Sequence, residues 1–293
     1  SQGWRVALLN RGYRSQREDG GAAVMSDGQR VLLSAEEGGD EACLMARSLP
    51  GIPVLVGRKR ALGGRLAVER FGTQVLILDD GFQHWQLYRD LDIVLVDGTN
   101  PFGNGHVLPR GILREPMEQL GRADAFIITK GDQITQDRAE AIAAKLRQYN
   151  PAAPVAMAIH KPSSCLAFAA WHDGKGHGSG ALQPDGQSVL AISALGNPAS
   201  FERTLADAGF TVAGSLRYED HHHYSRDDIR HMAARAAETG CLLVTTEKDA
   251  VKLPAPLIKE YDLPLYVLSI TIEFTAGQDQ IDTILQAVLE DKL

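Results

Sequence analysis

The stretch VLILDDGFQHWQLYRDLDIVLVDG, residues 75–98, contains two short apolar runs separated by a polar segment. Each run is too short for a typical helix and lacks polar alternation, a pattern typical of strands buried on both faces of a parallel sheet. Asp79 and Asp80 follow the first run directly. Because ligands of open α/β sheets bind at the carboxyl ends of strands, the stretch predicts a parallel sheet with a site at this edge.

The same alternation continues on both sides of this stretch. The segments WRVALLNRGY and ADAFIITKGD predict strands, and QDRAEAIAAKLRQYNP predicts a helix that ends before Pro151. Strands alternating with helices in both halves predict two α/β/α domains with mainly parallel sheets. A glycine-rich segment, residues 172–188, predicts a loop, and the domain boundary is placed near residue 160, giving domains of residues 1–160 and 161–293.

Composition excludes several classes of protein. The formal net charge of −7 over 293 residues excludes a nucleic-acid footprint covering the whole surface. Three widely spaced cysteines are neither a disulfide framework nor a zinc site, and they favour a reducing compartment. No apolar run approaches the ~20 residues that a membrane span requires. These features predict a globular protein that does not bind nucleic acid.

Carboxylates at two places could bind a cation or act as a base. Asp79 and Asp80 could bind Mg²⁺, which takes one or two carboxylates together with phosphate oxygens, although turn formation at Asp80-Gly81 explains them locally. Asp40 and Glu41 begin a predicted helix, where helix capping is an adequate explanation. The residues alone leave both alternatives open.

Four further segments carry candidate chemistry. In YEDHHHYS the three histidines follow a predicted strand, and they cannot all point into one site because successive residues alternate faces. The segment TTEKDAVKL could be a solvated helix start, and ITKGD is similar to a guanine-reading loop but is equally explained by a turn. In FGNGHVLPRGILREP, Arg110 and Arg114 would suit an anionic ligand because guanidinium groups pair with phosphate oxygens.

Taken together and in this order, these segments closely resemble one family, tetraacyldisaccharide 4′-kinase, the lipid A 4′-kinase. The matching segments cover nearly the whole chain: RGY (11–13), GDE (39–41), DDGFQH (79–84), RDLDIVLVD (89–97), FGNG…LPRGILREP (102–116), NP…F (197–201), DHH.Y (220–224) and TTEKDAVKL (245–253).

The resemblance implies a fold and a reaction. The family has two α/β domains, the first a P-loop-kinase-like core. It transfers the γ-phosphate of ATP, with Mg²⁺, to the 4′-hydroxyl of a tetraacylated glucosamine disaccharide 1-phosphate, a lipid A precursor. It acts at the cytoplasmic face of the bacterial inner membrane.

The resemblance also implies roles for matched residues. Asp79 and Asp80 would bind Mg²⁺. Asp40 would be the catalytic base, and His221, from the second domain, would be its partner. Arg114 would lie near the transferred phosphate. The residues implied in cofactor binding are Glu41, Gln83 and His84.

One departure from the family pattern bears on activity. The chain contains no G-x-x-x-x-G-K-[ST] phosphate loop, which the family carries upstream of the RGY segment, and it lacks the apolar helix through which the family meets the membrane. We therefore expect an N-terminally incomplete copy of the kinase, with little or no activity as given. Two alternatives are a non-catalytic paralogue that binds lipid or a protein partner, and a GTP-binding module based on TKGD.

Overall fold

The computed structural model describes residues 3–13, 15–16, 21–174 and 181–290. The strands are β1 Val6–Asn10, β2 Ala23–Ser26, β3 Val54–Val56, β4 Val75–Leu78, β5 Ile93–Asp97, β6 Ala125–Thr129, β7 Val155–Ala167, β8 Ser188–Ser193, β9 Thr211–Arg217, β10 Leu242–Thr246 and β11 Leu265–Ala276. The α-helices are α1 Ala35–Gly38, α2 Asp40–Ser48, α3 Arg60–Phe71, α4 Gln136–Tyr149, α5 Phe168–His172, α6 Pro198–Asp207, α7 Arg226–Thr239, α8 Glu247–Ala250, α9 Ala255–Glu260 and α10 Gln278–Glu290. Two short 3-10 helices span Met117–Arg122 and Gly131–Gln133.

The chain forms two compact units. Unit 1 comprises residues 1–81 and 162–269, and unit 2 comprises residues 82–161 and 270–293. The units differ from the predicted division into 1–160 and 161–293, although one change of unit, between Lys161 and Pro162, falls beside the predicted boundary. Residues 1–81 group with 162–269 because helix α2 contacts helix α8 and Val251 packs against the cluster that contains Met25.

Unit 1 contains a four-stranded sheet in the order β2-β3-β1-β4. Strands β3, β1 and β4 are parallel, and β2 is antiparallel to β3. Side chains of β1 alternate between two apolar layers, because Leu8 packs with Ala42 of α2 whereas Leu9 packs with Ala67 of α3. The sheet is therefore covered by helices on both faces.

Unit 1 also contains the parallel strands β10-β8-β9 and residues 265–269 of β11, which pair with β10. Val189 packs with Leu205 of α6, and Leu190 on the opposite face packs with Met232 of α7. This alternation again places one helix layer on each side of the strands.

Unit 2 is built on the parallel strands β5 and β6 and on residues 155–161 of β7. Phe126 packs with Leu146 of α4, and Ile127 on the opposite face packs with Ile281 of α10. The α/β class with mainly parallel sheets is thereby confirmed. None of the helices in the described part of the chain is long and apolar enough to cross a membrane.

The structure differs from the sequence predictions at two edge strands and in several elements that were not predicted. Strands β4 and β5 are edge strands among the described residues, so Ile77 is 50% exposed and Leu95 67% exposed instead of buried on both faces. Strands β2 and β7 and helix α1 lack a matching prediction. Of the predicted loop at 172–188, residues 175–180 lie outside the described residues.

Candidate functional site

Asp40 and His221 form the central pair of the site in unit 1. The Nδ1 atom of His221 lies 3.0 Å from Oδ2 of Asp40, and both side chains are largely buried. Asp40 is the first residue of α2, after the cap residue Gly39, and its Oδ1 atom accepts a hydrogen bond of 2.9 Å from the backbone N–H of Glu41. The alternative that Asp40 caps the helix is therefore wrong, and its Oδ2 atom faces the histidine.

The three consecutive histidines have different surroundings. His221 adopts a positive φ of 63°, and the ring of Tyr13 meets its imidazole edge-on with the centroids 5.8 Å apart. The Nε2 atom of His222 lies 3.0 Å from Oδ2 of Asp228, and His223 is exposed. His221 thus contacts Asp40 and His223 lines the cavity beside this pair, whereas His222 pairs with Asp228, in agreement with the argument that the three cannot all share one site.

Asp79 and Asp80 follow β4 at its carboxyl end. The Nδ2 atom of Asn10 donates a hydrogen bond of 2.6 Å to Oδ2 of Asp79, and the buried Arg60 donates one of 3.1 Å to the Asp79 carbonyl. Burial raises the pKa of Asp79, and the charge of Asp80 adds to this effect, whereas Asn10 and Arg60 oppose it. Asp80 is exposed and has a φ of 51°, so a turn and the half-buried carboxylate of Asp79 are both present here.

Glu41 is close enough to both Asp40 and Asp79 to be affected by their charges. Burial raises its pKa, the charges of Asp40 and Asp79 add to this, and Lys248 opposes it. The Nζ atom of Lys248 lies 3.6 Å from Oε1 of Glu41 and 3.5 Å from Oδ1 of Asp220. Like charges are thus concentrated at this place, and they would be stabilised by an additional cation.

A cavity of about 320 Å³ opens beside the central pair. Its lining includes Tyr13, Ser34, Asp40, His221 and Lys252, all of unit 1. The cavity gives a polar ligand direct access to the carboxylate of Asp40.

The structure brings together Asp40, Glu41, Asp79 and His221 in unit 1, with Asp80 next to Asp79 in the chain. The remaining predicted residues belong to unit 2: the half-buried Gln83 and His84 and the exposed Arg114. Their roles remain predictions.

Asp79 and Asp80 are the residues that could hold a magnesium ion. Within the described residues no group of three or more His, Cys, Asp or Glu side chains could hold a metal ion. Mg²⁺ needs only one or two protein carboxylates when phosphate oxygens and waters complete its shell. A half-buried carboxylate whose pKa is raised by its surroundings, that of Asp79, fits this requirement.

Three residues of the site were not predicted from the sequence, namely Asn10, Arg60 and Lys248. Arg60 lies in the basic segment VGRKR and Lys248 in TTEKDAVKL. Both segments are visibly charged in the sequence, but the sequence does not indicate which acidic groups they pair with. The TKGD segment lies in unit 2, where Nζ of Lys130 lies 2.5 Å from Oδ2 of Asp97 at the end of the neighbouring strand β5.

Comparison with known proteins gives a consistent result. The family model described as LpxK, tetraacyldisaccharide-1-P 4′-kinase, matches residues 1–290. A protein of Anaeromyxobacter dehalogenans (strain 2CP-C) named tetraacyldisaccharide 4′-kinase is 43% identical over 286 residues, which are 97% of this chain and 73% of that protein. One of the same name from Halothermothrix orenii is 40% identical over 283 residues, 94% of this chain and 74% of its own length.

A solved structure also matches. The crystal structure of the "apo" form of LpxK from Aquifex aeolicus in complex with ATP has a TM-score of 0.69 and 27% sequence identity. The match covers 97% of this chain and 79% of that chain.

Proposed function

Because the chain belongs to the tetraacyldisaccharide-1-P 4′-kinase family, we propose that it transfers the γ-phosphate of ATP to the 4′-hydroxyl of a tetraacylated glucosamine disaccharide 1-phosphate in lipid A synthesis. The observation that carries the proposal is the contact of 3.0 Å between Asp40 and His221 beside a polar cavity. The ATP in the matched crystal structure supports ATP as the phosphate donor.

Asp40 is the proposed general base. A sugar hydroxyl loses its proton as it attacks phosphorus, and a carboxylate within hydrogen-bond reach can accept that proton. Each oxygen of Asp40 already has one contact, with His221 or with the Glu41 N–H, but a carboxylate can accept about four hydrogen bonds. The cavity leaves room for the acceptor hydroxyl, while His221 fixes the orientation of the carboxylate.

Asp79 and Asp80 are the proposed Mg²⁺ ligands. When bound, Mg²⁺ neutralises charge on the phosphate oxygens, which provides a large part of catalysis in phosphoryl transfer. Asn10 and Arg60 orient Asp79 for this role. We further propose that Glu41, Gln83 and His84 contribute to cofactor binding and that Arg114 acts near the transferred phosphate.

The proposed site of action is the cytoplasmic face of the bacterial inner membrane, where the lipid acceptor would be met. The expectation that residues 1–293 alone turn over slowly or not at all stays a prediction, since these residues contain no G-x-x-x-x-G-K-[ST] sequence. Clear turnover by this chain would contradict that expectation, without contradicting the proposed reaction.

The reaction is tested with the protein expressed from the complete open reading frame that encodes these residues. The assay follows ³²P transfer from [γ-³²P]ATP to the acylated disaccharide 1-phosphate by thin-layer chromatography. We expect Asp40→Asn to lower kcat by about 10²- to 10⁴-fold because the general base is removed. Asp227→Asn is the matched control, since Asp227 is an exposed acid in the first turn of α7.

Two results would contradict the proposal. A wild-type protein that transfers no phosphate to the lipid would favour the non-catalytic alternative. Equal kcat values for Asp40→Asn and Asp227→Asn would remove Asp40 from the mechanism.

A further inference from the structure

Lys248 is a cation of the site to which neither the sequence nor the proposed mechanism gives a role. It lies in the four-residue helix α8, within the segment TTEKDAVKL. Its Nζ atom is nearly equidistant from two carboxylates on separate chain segments, 3.6 Å from Glu41 and 3.5 Å from Asp220. Its side chain is 24% exposed, so it is not a solvated residue at a helix start.

The contacts of Lys248 complete a ring of ionisable side chains around the central pair. His221 lies 3.0 Å from Asp40 through Nδ1 and 3.9 Å from Asp220 through Nε2. Asp40 is followed in the chain by Glu41, which returns the ring to Lys248. Residues 40–41 are thus connected to residues 220–221 at two places, directly between Asp40 and His221 and through Lys248 between Glu41 and Asp220.

Without the ammonium group, the carboxylates of this ring would repel each other. Lys248 is the largest charge opposing the raised pKa of Glu41. Removing this charge therefore favours separation of the segment that carries His221 from the segment that carries Asp40.

Both chain neighbours of Lys248 are fixed by hydrogen bonds. Glu247 accepts one of 3.1 Å from Trp171 Nε1 and one of 2.8 Å from Ser269 Oγ. Asp249, which is fully buried, accepts one of 3.1 Å from the backbone N–H of Ala194 and one of 2.8 Å from Thr246. A side chain that begins from such a rigid backbone can hold a charge at a defined place.

We propose that Lys248 is a positioning residue for phosphoryl transfer, which holds Glu41 and the Asp220–His221 turn together so that His221 stays on Asp40. This inference rests on the proposed function. Both contacts of the ammonium group are longer than a normal hydrogen bond, so Lys248 acts as a central charge between two carboxylates. A residue with a positive charge and similar reach should therefore replace it in part.

The kinetic test compares three variants of the protein from the complete open reading frame. Lys248→Met removes the charge and keeps the length, Lys248→Arg restores the charge, and Lys259→Met is the matched control at an exposed position of α9. We expect Lys248→Met to lower kcat by about 10- to 100-fold, since small displacements of catalytic groups have effects of this size. We expect a KM for ATP within about 2-fold of wild type, partial recovery in Lys248→Arg and no change in the control.

Coupling to His221 distinguishes positioning from an independent contribution. If Lys248 acts through the His221 turn, Lys248→Met should reduce kcat much less in a His221→Ala background than in wild type. Multiplicative losses in the double variant would overturn the inference. The inference would also be overturned if Lys248→Met lowered the melting temperature and regained wild-type kcat when assayed at a lower temperature, at which the variant is fully folded.

A readout without turnover separates this inference from the proposed function. In protein labelled with ¹⁵N-histidine, the imidazole signals of His221 are identified by their absence in His221→Ala. These signals should shift in Lys248→Met and remain unchanged in Lys259→Met. Unchanged signals in Lys248→Met would overturn the inference, whereas a lack of wild-type turnover would overturn only the proposed reaction.

Discussion

The ion pair between Asp249 and Lys252 provides a quantitative test of what stabilises unit 1. The Nζ atom of Lys252 lies 2.8 Å from Oδ1 of Asp249, and the two side chains are 4% and 0% exposed. The pair lies against Tyr224, whose pKa is raised by burial and by the charge of Asp249. Lys252→Met removes the positive charge and leaves a buried carboxylate behind.

The size of the effect follows from the groups that remain around Asp249. Breaking a buried ion pair on one side costs about 3–5 kcal/mol because the other charge is left uncompensated. Asp249 still accepts hydrogen bonds from the Ala194 N–H and from Thr246 Oγ1, and the pair itself lacks hydrogen-bond geometry. Both facts place the expected loss at the lower end, about 3 kcal/mol.

Unit 2 offers a matched control for this substitution. Lys161 and Glu273 are 2.7 Å apart, but their side chains are 57% and 50% exposed. An exposed pair of this kind contributes about 0–1 kcal/mol, so Lys161→Met should have a small effect. The two substitutions remove the same group from pairs of similar distance, and they differ mainly in burial.

Urea unfolding followed by circular dichroism measures both effects. We expect a clearly lower midpoint for Lys252→Met than for Lys161→Met at unchanged slope. The double variant Asp249→Asn/Lys252→Met should regain part of the loss, because no lone charge then remains in the interior. The reasoning would be refuted if Lys252→Met lost no more stability than Lys161→Met, or if neutralising Asp249 gave no recovery.

Three further predictions follow from the site and the core. Burial raises the pKa of Asp79 in the folded state, so its protonation stabilises the fold at low pH, and this stabilisation is lost as the pH rises through the raised pKa. In EDTA at pH 8, Asp79→Asn should therefore unfold at a higher urea concentration than the wild type. The difference between the two midpoints should disappear as the pH is lowered. Removing the contact of 3.0 Å to Asp228 in His222→Ala should lower the free energy of unfolding in urea by about 1 kcal/mol, and His222→Gln, which keeps a donor, should recover part of this loss; equal losses in the two variants would contradict a stabilising hydrogen bond here. Burial raises the pKa of Cys165 to about 12, and all three cysteines are buried. Ellman's reagent at pH 8 should therefore label the native protein slowly and label three thiols after denaturation. Rapid labelling of the native protein would contradict the packing of Cys165.

The strands and helices that the sequence predicts best are those with a strong local pattern. The run before Asp79 predicts strand β4 because it is short, apolar and followed by a turn. Strand β7 escapes prediction because it contains Lys161 and Pro162, and proline is typical of edge strands or of segments that are not strands. Here tertiary pairing outweighs the local pattern.

The site was predictable where a residue carries its chemistry in its own segment. Asp40, Asp79 and His221 belong to segments that resemble a known family, and the structure brings them together. Lys248 and Arg60 were not predicted because their roles depend on partners far away in the sequence, Glu41 for one and Asp79 for the other. No local pattern encodes such a pairing.

The division into units was only partly predicted for the same reason, because it depends on contacts between distant parts of the chain. A domain boundary is predicted from the sequence near residue 160, and one change of unit lies beside it, between Lys161 and Pro162. The grouping of residues 1–81 with 162–269, however, rests on contacts such as those between α2 and α8, which connect distant parts of the chain. These contacts also bring Asp40 within reach of His221, so unit 1 is defined by the same packing that assembles the site.

The cost of the site to stability supports its assignment to function. Among the described residues, five non-glycine residues have a positive φ, and two of them, Asp80 and His221, lie in the site. Each such conformation costs about 1–3 kcal/mol and persists only where the surroundings enforce it. At the same place burial raises the pKa of Glu41 and of Asp79, so their charged forms also oppose folding at neutral pH. Backbone strain and electrostatic repulsion are independent costs, and a cation with phosphate oxygens would relieve the second of them. Their coincidence is expected of a site shaped for a charged ligand, since a fold optimised for stability alone would have removed both.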